Sequence, residues 1–87
     1  MKNREVFKKH QAQTFPHPSA IEITSANGNY LIDSNGFKYL DFVAGVSVNT
    51  LGHCNKFINE SVKKQIDSYS HVMVYGEFVQ QPQTKLA

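Results

Sequence analysis

Two Asn-Gly pairs, Asn27-Gly28 and Asn35-Gly36, constrain the fold of this 87-residue chain more than any other feature. Asn-Gly is the preferred pair at the centre of a type I′ hairpin turn, where both central residues need positive φ. The pairs separate three short runs rich in β-forming residues, Ile21–Ser25, Asn29–Asp33 and Phe37–Phe42. The pattern predicts a three-stranded antiparallel meander within residues 20–43, with a type I′ turn at each pair.

Helices are expected on both sides of this meander. Residues 3–13 are typical of a short polar helix that must end before Pro16 and Pro18. After the meander, Asn55 is a good N-cap for a helix over residues 55–69. Its apolar stripe consists of Ile58, Val62 and Ile66.

The end of the sequence predicts an aromatic-rich loop and the start of one more helix. Pro82 suits the first turn of a helix over residues 82–87. A helix this short is not stable in isolation. We therefore expect residues 1–87 to be the N-terminal segment of a larger protein, whether truncated, split or incompletely represented. The fold class is α+β.

Composition excludes several functions. The net charge of +2, without a clustered basic face, argues against nucleic-acid binding. The sequence contains neither an apolar run of membrane-spanning length nor a secretory signal. A single cysteine, Cys54, excludes an internal disulfide and fits a reducing compartment, so we expect a cytoplasmic protein.

Five side chains invite chemical interpretations that the spacing does not support. His53, Cys54 and His71 lack the paired spacing of a metal site, and no group is placed to orient a Cys–His nucleophile pair. A half-buried thiol is the preferred interpretation of Cys54. Asp33 and Asp41 fall near strand ends, where aspartate serves turn geometry more often than acid–base catalysis.

The uncharged run Gly45–Val48 allows two interpretations. It lies between a strand and the polar pair Asn49-Thr50, so it could form the apolar wall of a small-molecule pocket. A buried extension of the strand is preferred on residue type alone. Gly45 and Gly52 do not have the spacing of a phosphate-binding loop.

Taken in order, these runs resemble the N-terminal part of class-III aminotransferases, which depend on pyridoxal 5′-phosphate (PLP). Asn27–Phe42 resembles the family's meander, and Gly45–His53 resembles its G-I-A-V-x-x-x-G-H run. Pro18–Ile23, the helix from Lys56 and the run Gln81–Ala87 also fit the family's pattern. One departure is Asn55-Lys56, where the family usually has His-Pro.

The resemblance implies part of a fold-type-I PLP α/β transferase that moves an amino group from an ω-amine or amino acid to a 2-oxo acid. It also implies a homodimer, a Schiff-base lysine outside these residues and no catalytic residue within them. Val46, Ser47 and Tyr75 match substrate-binding positions. The segment alone should therefore be inactive. The alternative is a freestanding β-meander module for binding or assembly.

Overall fold

The computed structural model of the chain describes residues 2–73 and 75–87, in two compact units. The first ends at Asn55 and the second begins at Lys56. The first unit contains strands β1 (Ile23–Asn27), β2 (Tyr30–Asp33) and β3 (Lys38–Leu40) in an antiparallel sheet of order β1-β2-β3. The predicted meander is therefore confirmed.

Both turns of the meander differ from the predicted type I′ geometry. Gly28 has φ of +55°, but neither Asn27 nor Asn29 has positive φ, so the two-residue Gly28-Asn29 turn has one left-handed residue instead of two. The second loop contains three residues, because the Asp33 N–H donates to the Phe37 carbonyl.

In that second loop the Gly36 N–H donates to the Asp33 carbonyl, and only Gly36 has positive φ. This is the geometry of a type I turn followed by a glycine bulge. Asn35 therefore lies inside the turn with negative φ. The Asp33 carboxylate favours this arrangement, because its Oδ1 accepts hydrogen bonds from the Asn35 and Phe37 N–H groups.

The first strand begins at Ile23, two residues later than its β-forming run, and its register with β2 shifts between Ile23 and Ser25. Thr24 occupies this irregularity, and its Oγ1 donates to the Ile32 carbonyl at 3.3 Å. A side chain that bonds the partner strand compensates for the interrupted backbone ladder.

The N-terminal helix α1 (Asn3–His10) is three residues shorter than predicted. Gln11 is extended, with φ of −105° and ψ of 135°. The Gln13 amide then folds back to donate to the Phe7 carbonyl at 2.9 Å, beside the hydrogen bond that this carbonyl accepts from the Gln11 N–H. At the other end, the Glu5 carboxylate accepts from the Lys2 N–H, as in half of a capping box.

The segment after β3 is a single helical turn, α2 (Ala44–Ser47), and not the preferred strand extension. β3 ends at Leu40 because the next residue, Asp41, uses its carboxylate to bind the N–H groups of Val43 and Ala44. These bonds turn the backbone away from the extended conformation. The residues of this turn are exposed or half-buried.

The second unit contains α3 (Lys56–Ser68) and α4 (Gln81–Leu86), close to the predicted helices. Helix α3 begins directly after Asn55, and the backbone N–H of Tyr69 donates to Gln65 at its end. Pro82 lies in the first turn of α4, where its missing N–H costs nothing.

Among the described residues no apolar side chain is buried, and Asp33 is the buried polar residue, at 7% exposed. The apolar stripe of α3, which consists of Ile58, Val62 and Ile66, is exposed. A sheet and an amphipathic helix normally bury their apolar faces against another layer. In the described residues, each unit therefore has exposed apolar side chains of the kind that normally form a core, and no apolar side chain is buried.

Candidate functional site

The left-handed turn, Ala44–Ser47, is the most unusual backbone in the first unit. Its four residues have φ values of 50°, 62°, 59° and 68°. Only glycine adopts this region readily, and other residues lose roughly 1–2 kcal/mol each there. Val46 is β-branched, which makes its positive φ a true outlier. Strained backbone of this kind persists where surrounding contacts hold it, and it is concentrated at functional sites.

Asp41 holds the start of the left-handed turn. Its Oδ1 accepts hydrogen bonds from the N–H groups of Val43 at 3.1 Å and Ala44 at 2.9 Å. The Asp41 N–H itself donates to the Asn29 carbonyl at 2.8 Å, which fixes the residue to the first hairpin. The carboxylate therefore connects the sheet with the turn.

The other carboxylate oxygen of Asp41 pairs with a histidine twelve positions along the chain. His53 Nε2 lies 2.6 Å from Asp41 Oδ2, a short charge-assisted distance. The two side chains are 18% exposed for His53 and 7% for Asp41. The hydrogen bond from His53, followed by the one from the Ala44 N–H, holds the pKa of Asp41 below its ordinary value of 3.8. Asp41 is thus ionised at neutral pH.

The backbone of His53 is fixed to the tip of the first hairpin. The Gly28 N–H donates to the His53 carbonyl at 3.0 Å, and the His53 N–H donates to the Gly28 carbonyl at 2.8 Å. Cys54 has φ of +58°, and its thiol donates to the Ala26 carbonyl at 3.1 Å. The thiol is exposed instead of half-buried as predicted.

The second aspartate, Asp33, serves the sheet. In addition to the Asn35 and Phe37 N–H groups, it accepts a hydrogen bond from the Tyr39 hydroxyl at 3.0 Å. Burial raises the pKa of Asp33, but these hydrogen bonds outweigh burial and hold the pKa below 3.8. The hydrogen bond between the Tyr39 hydroxyl and the Asp33 carboxylate raises the pKa of Tyr39 above its ordinary value of 10.0.

The substrate-binding residues predicted from the resemblance fall in both units. Val46 and Ser47 are adjacent in the left-handed turn, where Val46 is 84% exposed and Ser47 is also exposed. Tyr75 lies in the second unit, and its ring is exposed. Within residues 2–73 and 75–87, no three His, Cys, Asp or Glu side chains are grouped to hold a metal ion. None of the helices in those residues could cross a bilayer.

Sequence reasoning missed the pairing of Asp41 with His53. It treated Asp41 as a turn residue and His53 as a weak metal candidate. The pairing depends on the backbone bridge between Gly28 and His53, which joins positions 25 residues apart. No local pattern of residue types encodes such a contact.

Solved structures that resemble this arrangement of helix, meander and turn include transaminases. The chain superimposes on the S-selective transaminase from Arthrobacter sp. with a TM-score of 0.83 and 28% identity, covering 97% of this chain and 18% of that one. It superimposes on adenosylmethionine-8-amino-7-oxononanoate aminotransferase from Methanocaldococcus jannaschii with a TM-score of 0.82 and 30% identity, covering 95% and 20%. The fold is that of part of a transaminase.

The sequence comparison is more specific. Residues 11–87 match the aminotransferase class-III family. The chain is 52% identical over 52 residues to acetylornithine aminotransferase of Bacillus amyloliquefaciens, a match that covers 60% of this chain and 23% of that protein. It is 41% identical over 66 residues to the Staphylococcus aureus adenosylmethionine-8-amino-7-oxononanoate aminotransferase, covering 76% and 15%. This chain belongs to the class-III aminotransferase family, and its matches span less than a quarter of those relatives' lengths.

The residues of this chain do not fit PLP by themselves. A Schiff-base lysine needs a lowered pKa, which proteins obtain by burying the amine or placing other cations beside it. Every lysine here is exposed. The Asp33 and Asp41 carboxylates are already engaged by backbone N–H groups and by the Tyr39 and His53 side chains.

Proposed function

We propose that this chain is the N-terminal part of a PLP-dependent transaminase subunit and that its left-handed turn forms part of the substrate pocket. The reaction would transfer an amino group from an ω-amine or amino acid to a 2-oxo acid. The observation that carries the proposal is the turn itself. It presents Val46 and Ser47 at the surface, in a strained conformation fixed by the Asp41 carboxylate.

Each proposed pocket residue has a chemically distinct role. The Val46 isopropyl group offers apolar contact to the carbon chain of an amino donor. The Ser47 hydroxyl can donate or accept a hydrogen bond, and Tyr75 in the second unit offers an aromatic ring and a hydroxyl to a substrate. PLP, when bound, supplies the electron sink for the reaction, and we assign its lysine to residues outside this chain.

The exposed apolar surfaces support packing against the remainder of a subunit and its dimer partner. Among the described residues the α3 stripe is exposed and the sheet buries no apolar side chain, and large exposed apolar surfaces mark sites of contact with other protein. The complete enzyme is proposed to be a cytoplasmic homodimer, and the single cysteine is compatible with a reducing compartment.

A chimaeric enzyme tests the proposal. Residues 11–87, which match the class-III family, replace their counterparts in Bacillus amyloliquefaciens acetylornithine aminotransferase. If the chain is an equivalent part of a transaminase, the chimaera should bind PLP and transaminate. The matched control keeps the host's own four residues at the position of the left-handed turn. Identical donor preferences in the chimaera and this control would contradict the pocket role of the turn. A folded control that neither binds PLP nor transaminates would contradict the chain's place in a transaminase.

The same exposed surfaces favour a second candidate, a freestanding β-meander that assembles with another protein without catalysis. The mass of the polypeptide purified from its native cells separates the two. A polypeptide of several hundred residues that binds PLP supports the transaminase, whereas a stable species of 9.8 kDa in a complex supports the assembly module.

A further inference from the structure

We propose that Asp41 and His53 are positioning residues that set amino-donor preference by holding the left-handed turn in place. This inference rests on the proposed function of the turn as a pocket wall. Neither side chain needs to touch the substrate. Their effect would pass through the backbone of residues 43–47, which carries Val46 and Ser47.

The first step of the argument is the use of both Asp41 oxygens. Oδ1 binds the Val43 and Ala44 N–H groups, and Oδ2 binds His53. A carboxylate engaged on both oxygens cannot rotate without breaking hydrogen bonds to one side. His53 therefore orients the carboxylate that begins the turn.

The second step is that the backbone of His53 is held in place. Its backbone is paired in both directions with Gly28 at the tip of the first hairpin. Asp41 is also bonded through its N–H to Asn29 in that hairpin. His53 and Asp41 are thus bonded to adjacent residues of the first hairpin turn, Gly28 and Asn29, and these bonds fix the position of the left-handed turn.

The third step is that the turn has a strong tendency to relax. Three of its four residues are not glycine, yet all four have positive φ. Without the bonds at its first N–H groups, the lower-energy conformations for Ala44, Val46 and Ser47 are right-handed or extended. Relaxation would displace Val46 and Ser47, and a shift of 1 Å near a reacting substrate can change a rate about 100-fold.

The test uses the complete PLP-loaded enzyme and two amino donors that differ in chain length. His53→Ala removes the donor to Asp41, and His53→Gln keeps an N–H donor there. For His53→Ala we expect the ratio of the two kcat/KM values to change about tenfold or more. The ratio should return towards wild type in His53→Gln, and the absorbance of bound PLP should be unchanged in both.

A matched control comes from the other aspartate. Asp33→Asn replaces a carboxylate that accepts hydrogen bonds from two N–H groups and the Tyr39 hydroxyl. Asp33 lies in the same sheet, at the end of β2 opposite to the first hairpin. The substitution should lower thermal stability and leave the donor ratio unchanged. If Asp33→Asn changes the ratio as much as His53→Ala does, the effect is general destabilisation and the proposal is wrong.

A rescue variant keeps the proposal testable if His53→Ala does not fold. Asp41→Asn removes the charge but retains the side-chain shape, and adding Ala44→Gly removes part of the strain at φ of +50°. The second substitution should restore part of the donor ratio. An unchanged ratio in folded Asp41→Asn and His53→Ala would overturn the proposal. A wild-type enzyme without transaminase activity would instead overturn the proposed function.

Discussion

Gly52 lies so close to Gly28 that a Cβ atom on Gly52 would be 3.2 Å from the Gly28 carbonyl oxygen and 3.3 Å from its Cα. Contacts this short are rare for real Cβ atoms, and both neighbouring atoms belong to the backbone. The contact occurs where His53 pairs with Gly28. The absence of a side chain at Gly52 thus permits the bridge that places His53 beside Asp41.

Gly36 and Gly52 allow a matched comparison, because both have φ of +84° and only Gly52 has a close neighbour. In the complete enzyme, Gly36→Ala should reduce the free energy of unfolding by about 1–2 kcal/mol, the cost of a left-handed non-glycine residue. Gly52→Ala should lose roughly 1–3 kcal/mol more, because its methyl group also overpacks against Gly28. Urea denaturation measures both values.

Asparagine provides the control for the conformational part, because it tolerates positive φ better than alanine does. Gly36→Asn should therefore be milder than Gly36→Ala, and Gly36→Val should be the most costly because valine is β-branched. Equal losses for Gly36→Ala and Gly52→Ala would mean that the approach of Gly52 to Gly28 has no energetic consequence.

Removing the Tyr39 hydroxyl should make stability depend differently on pH. A depressed Asp33 pKa adds stability above 3.8 that is lost as pH falls through the folded value. The raised Tyr39 pKa adds stability below 10.0 that is lost as pH rises through its folded value. In the complete enzyme, the urea concentration at the midpoint of unfolding should be higher for wild type than for Tyr39→Phe across neutral pH. This difference should shrink at strongly acidic and strongly basic pH.

The matched control for Tyr39→Phe is Tyr30→Phe, on a neighbouring strand and exposed like Tyr39. The difference in urea midpoint between Tyr30→Phe and wild type should not vary between acid and neutral pH. A constant difference for Tyr39→Phe over the same range would show that the Asp33–Tyr39 hydrogen bond does not contribute to the pH dependence.

Val46→Phe should change the choice of amino donor in the complete enzyme. The phenyl ring is larger than the isopropyl group of valine, so it would shorten the proposed pocket and disfavour longer amino donors. One methylene of pocket fit is worth roughly 1–3 kcal/mol, so kcat/KM for the longer donor should fall about tenfold or more. Val48→Phe is the control, because Val48 directly follows the turn and has an ordinary right-handed backbone. An unchanged ranking of donors in folded Val46→Phe would make Val46 a structural residue.

The isolated 87-residue polypeptide should be inactive and should not unfold cooperatively. Its described residues bury no apolar side chain, and cooperative unfolding depends on a shared apolar core. Calorimetry should show no sharp transition, and incubation with PLP, an amino donor and a 2-oxo acid should give no transamination. A single cooperative transition for the monomer would contradict this expectation.

The sequence predicted the existence and order of the elements well because their signals are local. Apolar spacing identified α3, and the β-forming runs identified three strands. Turn types were predicted incorrectly because Asn-Gly constrains only glycine strongly, while Asp33 and the strand register decide which residue is left-handed. The turn at Ala44–Ser47 could not be predicted, since its residues disfavour positive φ and a remote histidine stabilises it.

The bridge between Gly28 and His53 has an evolutionary consequence. Gly28, Asp41, Gly52 and His53 form one contiguous group, so the effect of changing one depends on which residues occupy the others. Substitutions that are harmful singly can then be accepted in pairs, and related enzymes should exchange these four residues jointly. Because of such epistasis, sequence changes at the tip of the first hairpin would depend on the residues of a loop 25 positions away in the sequence.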